Sequence, residues 1–456
     1  MKLSPDMAAA IATNRFGLGA RQGEMRIARA APRRWLIDQL GGPSRLPSAI
    51  RSLPPSSKTL VQVTQLQRER RMKREQGKKD EFGPTVRGHY ADAVLARTRQ
   101  AVTTRQSFYE RLVQFWSNHF TVSAEQAVLP ALAGAIENEV VRPNIDKSFV
   151  DMLIAAEQHP SMLIYLDNAQ STGPQSQLGR RMAKRRPNRQ TGLNENLARE
   201  IMELHTLGVD GGYSQRDVTA FARAITGWSV ARQGASAGGF EFHPNRHEPG
   251  AQTIMGTRYA QAGVQQGLAV LRDLASHPAT ARHIATKLAR HFAGDRPPAS
   301  LIDDLARVFE KRNGDLVDLH RTLVDAGALW LHEPVKYKTP NELVLSTMRA
   351  LGHKAEDPKA VMNHYRLLGQ MPFRPGSPAG WPDTADDWRG GNALQQRIEW
   401  INAVARRTRS AVDVSELATE ALGGALGDNT ALALRRAESQ TQALTLLLAS
   451  PNFQRR

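Results

Sequence analysis

The chain has 456 residues, of which 41% are hydrophobic and 23% charged, a composition typical of globular rather than disordered proteins. It contains no cysteine, which excludes disulfides, zinc–thiolate sites and thiol nucleophiles. The formal net charge of +17 favours contact with polyanions such as nucleic acid, anionic lipid or an acidic polymer.

The N-terminal sequence does not have the pattern of a signal peptide. Its apolar run from Met7 to Ala12 is shorter than the usual signal-peptide core of ~7–15 residues, and Pro5 and Asp6 precede it. No stretch approaches the ~20 apolar residues of a membrane-spanning helix. We therefore expect a soluble protein without a standard export signal, and a cytoplasmic location by default.

Apolar periodicity along the first part of the chain predicts helices. Pro32 marks a helix start, the segment 54–57 breaks the chain, and a polar, helical arm is expected over about 59–80. A long amphipathic helix follows over roughly 90–120. Its apolar face carries Phe108, Leu112, Phe115, Trp116 and His119.

The middle of the chain alternates between a loop and helices. Residues 170–190 are rich in Gly, Pro, Gln and Arg and predict a loop. A helix is expected over 194–208, and Ser214 with Asp217 predicts a capping box at the start of the next helix.

Residues 239–259 are the one strand-like region, and helical patterns resume from Gly267. The predicted fold is mainly α: a multi-helix globular protein with at most a small β-hairpin near 239–259. We expect a single large helical domain over 1–456, within which an N-terminal helical subdomain 1–125 and a C-terminal helical part 265–456 could be distinguished.

Two basic runs stand out. Residues 68–79 hold seven Lys or Arg and two Glu, and residues 180–189 are basic without any acid. One interpretation is a pair of solvated, mobile segments near 66–82 and 171–190. The other is a surface that binds a polyanion, although no nucleic-acid-binding motif accompanies it.

Several motifs together resemble one bacterial family. They are RFGLGA (15–20), FWSNHFTVS (115–123), NENLAREIMELHTLGVDGGYSQRDV (194–218), ARAITGW (222–228), FHPNRHEPG (242–250), IMGTRY (254–259), HPATARHIATKLARHF (277–292) and PAGWPDTADDW (378–388), followed by Arg397. This set is similar to the family catalogued as domain of unknown function 1800, over nearly the whole chain.

The resemblance implies a mostly helical bacterial protein without an established reaction. Genes of that family often lie beside those of a second uncharacterised family that resembles sulfatases and phosphatases, so a protein partner from that family is expected. Many relatives are exported, and the resemblance therefore offers the periplasm or envelope as the alternative location. This sequence departs from them by lacking a signal.

The central helix offers a candidate pair of carboxylates. Helical periodicity places Glu200 and Glu203, with Asn196, on one side of the apolar stripe and His205 on the other. One interpretation is a helix held by surface ion pairs among Glu195, Arg199 and Glu203. The other assigns Glu200 and Glu203 to catalysis, as a general base or a metal-binding pair.

Histidines supply the candidate metal ligands. His243 and His247 are four residues apart, but Pro244 argues against a helix, so they would have to converge from a loop with Glu248 as an oxygen ligand. Such ligands suit zinc, manganese or iron. His119 is either a further ligand or a core histidine satisfied by hydrogen bonds.

Two functions follow as hypotheses. The first is a metal-assisted hydrolase in which Glu200, Glu203, His243, His247 and His119 face one polar cavity and a divalent metal serves as cofactor. The alternative is a non-catalytic basic scaffold that holds an anionic polymer or a protein partner through residues 68–79 and 180–189.

Overall fold

Helices of three to 22 residues dominate the computed structural model, which describes residues 3–43, 45–185, 192–330, 335–408 and 412–456. The first seven α-helices are Pro5–Ala10 (α1), Glu24–Ala30 (α2), Pro32–Ile37 (α3), Ser48–Arg51 (α4), Ser56–Glu75 (α5), Phe82–Thr103 (α6) and Ser107–His119 (α7). The next six are Arg142–Asn144 (α8), Phe149–Glu157 (α9), Pro160–Tyr165 (α10), Gln177–Arg185 (α11), Asn196–Glu200 (α12) and Gln215–Ala224 (α13).

The C-terminal half is helical as well. Its helices are Val264–Ser276 (α14), Pro278–Ala293 (α15), Ala299–Lys311 (α16), Leu316–Asp325 (α17), Pro340–Ala350 (α18), Pro358–Leu367 (α19), Gly391–Arg407 (α20), Val414–Leu422 (α21), Asp428–Arg435 (α22), Gln440–Ala449 (α23) and Pro451–Gln454 (α24). Short 3₁₀ turns lie at Leu129–Leu132, Asn168–Gln170, Pro244–Arg246, Gly327–Leu329, Asp386–Trp388 and Gly423–Ala425.

Strands are few and short in the described residues. Trp228–Val230 (β1) pairs antiparallel with Phe240–Phe242 (β2), and Gln252–Ile254 (β3) pairs antiparallel with Thr257–Tyr259 (β4). The mainly α prediction is confirmed. One detail differs, because Phe240–Phe242 pairs with a strand upstream of the 239–259 window, so two small sheets replace one hairpin.

Two large clusters of buried apolar side chains form the core. The first joins residues of α1, α7, α9, α13, α15 and α16, among them Phe108, Trp116 and Phe292. The second joins α6 with helices α18 to α21 and α23, and includes Tyr365 and Trp400. Helices α7 and α15 therefore belong to one cluster, whereas α18 and the segment after α19 belong to the other.

Three π-helical segments interrupt the helices at Ile11–Phe16, Ile136–Val141 and Ile201–His205. Such segments have hydrogen bonds from residue i to i+5 and are frequent at functional sites. The third directly continues α12. Its residues therefore occupy angular positions that differ from those that α-helical periodicity predicts for Glu203 and His205.

The loop predicted over 170–190 is wrong for residues 177–185, which form α11 with all of Arg180–Arg185 exposed. Its helix start is supported by Ser176, whose hydroxyl accepts a hydrogen bond from the backbone N–H of Gly179 at 3.0 Å. The remaining basic residues, 186–189, lie outside the described residues. Residues 68–75 belong to the end of α5. No helix in the described part of the chain is both long and apolar enough to span a bilayer.

Candidate active site

Helix α15 carries three basic side chains on one face. His283, Lys287 and His291 are spaced at i, i+4 and i+8, which places them on the same side of the helix. The helix begins with Pro278 at its first position, and the side chain of His277 caps its first turn. The neighbouring side of the helix is anchored in the core by Ile284, Leu288 and Phe292. The basic face is turned toward α7, where Lys287 contacts His119 and His291 contacts Arg111.

A cavity of about 270 Å³ lies between α7, α15, the start of α18 and the loop 370–384. We call it the α7–α15 cavity. Its aromatic lining consists of Phe115, Phe373 and Trp381. Its polar lining includes Arg97, Arg111, Gln114, His119, Glu137, Lys287, Arg290, His291, Asn341, Glu342 and Asp383. The cavity thus lies where the two apolar clusters meet.

The loop that covers the cavity is held by Asn118. Its side-chain amide donates to the carbonyl of Trp381 at 3.0 Å, and its Oδ1 accepts from the N–H of Trp381 at 2.8 Å. Gly380 has φ +85°, and a Cβ there would lie 2.5 Å from the backbone oxygen of Asn118. Phe373, on the same loop, has φ 59°, a strained conformation for a bulky residue and one often found at functional sites.

His119 links this cavity to the π-helical segment. Its Nε2 lies 3.1 Å from the backbone oxygen of His205, which can only accept a hydrogen bond. We therefore assign the ring proton to Nε2. The Nδ1 atom is then an acceptor, and it lies 3.0 Å from Nζ of Lys287. Both ring nitrogens are thus engaged in hydrogen bonds, as the core-histidine interpretation expects, and metal binding by His119 stays a prediction.

Lys287 is a buried cation with little support for its charge. Burial lowers its pKa from 10.5 to about 8; the nearby carboxylate of Asp383 opposes this shift, whereas Arg290 adds to it. Its hydrogen-bond partner is an imidazole, and burial together with Lys287 holds the pKa of that imidazole of His119 well below its usual range. The partner therefore stays neutral and gives the ammonium no opposite charge.

The cavity also contains donors without acceptors. The Nε2 atom of Gln114 and the Nε1 atom of Trp381 are buried and have no hydrogen-bond partner among the described residues. Leaving such a donor unpaired costs about 1–3 kcal/mol, so each is informative where it occurs beside a cavity. Arg290 is exposed at the rim, and no acidic side chain of the described residues pairs with it. The lining therefore offers N–H groups and positive charge.

Other cations of the cavity are paired with carboxylates. Nε of Arg97 lies 2.8 Å from Oε2 of Glu137, and Arg111 forms an ion pair with Glu342. The carboxylate of Asp383 lies 2.8 Å from Nδ1 of His291. Although burial alone would raise it, the pKa of Asp383 is lowered to about 2 by His291 and neighbouring cations. These ion pairs stabilise the walls of the α7–α15 cavity.

The residues predicted for catalysis lie elsewhere. Of Glu200, Glu203, His243, His247 and His119, His119 alone lines the α7–α15 cavity. Burial raises the pKa of Glu200, and the charges of His205 and Glu203 act on it in opposite directions. The other four do not line this cavity, so His119 does not share it with them; a common polar cavity for Glu200, Glu203, His243 and His247 stays a prediction.

That loop is fixed by its own hydrogen bonds. Nδ1 of His247 lies 3.1 Å from the backbone oxygen of Thr226, and Glu248 accepts from the N–H of Gln175 at 2.8 Å. His243 pairs with Glu241 at 3.2 Å. Among the described residues, no three His, Asp or Glu side chains are arranged to hold a metal ion. Metal binding by His243, His247 and Glu248, and catalysis by Glu200 and Glu203, stay predictions.

Several residues of the site were missed by the sequence analysis. The spacing of His283, Lys287 and His291 was visible in the segment 277–292, and counting the polar positions of that helix would have found it. Asp383 lies in the motif 378–388 but needs the fold to reach His291. The buried pair of His205 and Glu157, with Nδ1 and Oε1 2.8 Å apart, joins two helices distant in sequence and carried no local signal.

Residues 11–455 match the family described as "Protein of unknown function (DUF1800)". The chain belongs to this family. No curated protein and no solved structure matches the chain. Membership of the DUF1800 family therefore confirms the resemblance of the motifs and leaves the reaction to be inferred from the site.

Proposed function

We propose that this DUF1800 protein is an enzyme that binds a small anionic molecule in the α7–α15 cavity and uses Lys287 for proton transfer. The observation that carries the proposal is the contact of Lys287 with His119. A buried amine that lines a cavity, and whose hydrogen-bond partner 3.0 Å away is a neutral imidazole, is available as a base.

Recognition of the substrate is assigned to groups that lack partners. Gln114 and Trp381 supply unpaired N–H donors, and Arg290 supplies a positive charge at the rim. Charge-assisted hydrogen bonds to an oxyanion are stronger than neutral ones. Phe115 and Phe373 add an apolar surface. These features support a carboxylate or phosphate that carries a small apolar group.

His119 has a positioning role in this proposal. The carbonyl of His205 holds its Nε2–H, so its Nδ1 lone pair is aimed at Lys287. A general base works best when its pKa lies near the operating pH, and the lowered pKa of about 8 brings Lys287 closer to neutrality. Hydrolysis, the reaction class predicted from the sequence, includes such a proton transfer, and the proposal extends to it.

Binding of probe anions tests this proposal. We expect benzoate and inorganic phosphate, offered separately to the full chain, to raise its unfolding free energy, by about 2.7 kcal/mol where the probe reaches 100 times its Kd. Lys287→Gln and Arg290→Gln should abolish the effect. Lys359→Gln, at an exposed lysine, is the matched control. Equal stabilisation of all four proteins would contradict the proposal.

A second candidate function rests on α11. Arg180, Arg181, Lys184 and Arg185 are all exposed, and none has an acidic partner among the described residues. Such a surface supports binding of an anionic polymer. Heparin is a suitable probe, because its binding should weaken with salt and with neutralisation of these four residues, whereas neutralisation of Lys287 should leave it unchanged.

A further inference from the structure

We propose that Lys287 forms a covalent imine with a substrate that carries an aldehyde or ketone beside an anionic group. This inference rests on the proposed function, since it places the substrate in the same cavity. It goes further by making Lys287 the nucleophile and by naming the substrate class, small oxo acids.

A comparison of three buried lysines carries the argument. Nζ of Lys336 lies 3.0 Å from Asp295 and 3.3 Å from Asp383, so this lysine forms ion pairs with two carboxylates. Burial lowers the pKa of Lys338 further, to about 7, but its Nζ donates to Ser346 at 3.1 Å and lies over the ring of Phe453, and Lys338 is not among the residues that line the cavity. Lys287 is the lysine in the lining of the α7–α15 cavity, and its hydrogen-bond partner there is His119.

The surroundings of Lys287 favour a nucleophilic amine. A lysine is activated when it is desolvated and lies near another cation, because both effects disfavour the protonated form. Arg290 is one turn along the same helix and lines the same cavity. A paired ammonium such as that of Lys336 has no lone pair to offer. Lys338 is also desolvated near cations, but of the lysines in the described residues Lys287 combines these features with a place in the lining of the α7–α15 cavity.

The lining also explains why the carbonyl would be accompanied by an anion. Arg290 and the unpaired donors of Gln114 and Trp381 can hold carboxylate oxygens. A cavity of about 270 Å³ limits the substrate to a small molecule. Phe115 and Phe373 provide contact for an apolar or aromatic group. A 2-oxo acid combines these properties, since its ketone lies directly beside its carboxylate.

The chemical step is a condensation. The lone pair of Nζ attacks the carbonyl carbon and a C–N bond forms. The two hydrogens of the amine and the carbonyl oxygen leave as water when the C–O bond breaks, which leaves a C=N bond between Lys287 and the substrate. His119 orients the amine through its Nδ1 atom. No oxidant or reductant is needed, and hydrolysis of the imine restores the free lysine.

Reductive trapping tests the inference. The full chain is incubated with pyruvate or phenylpyruvate and sodium cyanoborohydride, digested, and mapped by mass spectrometry. We expect at least a tenfold higher yield of the reduced adduct at Lys287 than at Lys336 or the exposed Lys359. Lys287→Arg, which keeps the charge, should lose the adduct. Excess benzoate should protect Lys287 in the wild-type chain, which keeps the test valid if the variant folds poorly.

The outcomes separate this inference from the proposed function. Preferential, benzoate-sensitive labelling of Lys287 supports both. If benzoate binds the wild-type chain and not Arg290→Gln, but neither oxo acid labels Lys287, imine formation is refuted and the anion site stands. If labelling is uniform over exposed lysines and no probe anion binds, both proposals are wrong.

Discussion

The basic side chains at the two ends of the α7–α15 cavity have different kinds of partner. At one end, Arg97 and Arg142 share the carboxylate of Glu137, at 2.8 and 3.3 Å, and Arg142 also pairs with Glu110. At the other end, Lys287 meets an imidazole. Both ends are buried in the same fold, so burial alone does not determine how a cation behaves; its partner does.

The difference between the two ends separates a stabilising role from a proposed chemical one. Burial would raise the pKa of Glu137, but Arg97 and Arg142 outweigh it and lower that pKa, so this end stays ionised and rigid. Among the described residues no carboxylate forms an ion pair with Lys287, and the proposal makes this lysine the reactive group. Buried ion pairs are costly to break because one charge is left uncompensated. Lys287 has no such ion pair that a substitution could break.

The largest effect should come from the paired end. Glu137→Gln leaves two buried guanidinium groups without their shared carboxylate, and we expect the unfolding free energy to fall by about 4 kcal/mol. Chemical denaturation at pH 7 measures it. Because the folded pKa is lowered below 4.5, this stabilisation is present above pH 4.5 and is lost as the pH falls through the folded pKa. Asp386→Asn, at an exposed carboxylate, is the control and should show no change.

The same substitution at two lysines should sharpen the comparison. Lys336→Met removes a cation held by two carboxylates and should lower the unfolding free energy by roughly 3 kcal/mol. Lys287→Met removes an uncompensated cation and should leave it unchanged or raise it by about 1 kcal/mol at pH 7. A comparable loss in both variants would show that Lys287 is paired like Lys336.

The pH dependence of the Lys287 pair has a definite sign. The folded pKa of about 8 lies below the unfolded value of 10.5, so between them the unfolded chain binds more protons. The unfolding free energy of the wild type relative to Lys287→Met should therefore rise from pH 8 to pH 10.5. Denaturation curves at several pH values in this window measure the difference.

The covering loop offers a smaller test of the reactive end. Gly380→Ala introduces a Cβ at a positive φ and 2.5 Å from the backbone oxygen of Asn118. We expect a loss of about 2 kcal/mol and weaker binding of benzoate, because the loop must shift. Gly376→Ala on the same loop is the matched control, since a Cβ there meets nothing within 4 Å. Similar behaviour of both variants would contradict the assigned role of the loop.

The smallest effect is expected on α11. Replacing Arg180, Arg181, Lys184 and Arg185 by Gln should leave the melting temperature unchanged, because exposed charges contribute little to stability. Retention on heparin should fall. A sharp drop in melting temperature would mean that these side chains belong to the packed structure.

Much of the helical framework could be predicted because its determinants are local. The face carrying Phe108, Leu112 and Trp116 is buried as the periodicity predicts, and Ser214 forms the capping box with Asp217. The short helix α11 was missed because the Gly, Pro, Gln and Arg around it predict a loop, although Leu178 and Met182 are spaced four residues apart as on one helix face. The π-helical turn at 201–205 was missed because the angular counting assumed α-helical geometry.

The site could be predicted only in part because its contacts are long-range. The sequence left His119 as either a metal ligand or a core histidine, and its hydrogen-bond partner Lys287 lies 168 residues away. His243 and His247 resembled ligands by residue type, whereas their backbone context gives them local hydrogen bonds. Pairing across the chain decides which polar residues share a cavity, and a single sequence does not contain that information.

The most direct test of the central claim is the pKa of Lys287 itself. Competitive labelling with trace acetic anhydride over a range of pH, followed by peptide mass spectrometry, measures it beside every other lysine in the intact chain. We predict a midpoint of about 8 for Lys287, with labelling reduced by benzoate. A midpoint of 10.5, the ordinary value, with no effect of benzoate would contradict the account.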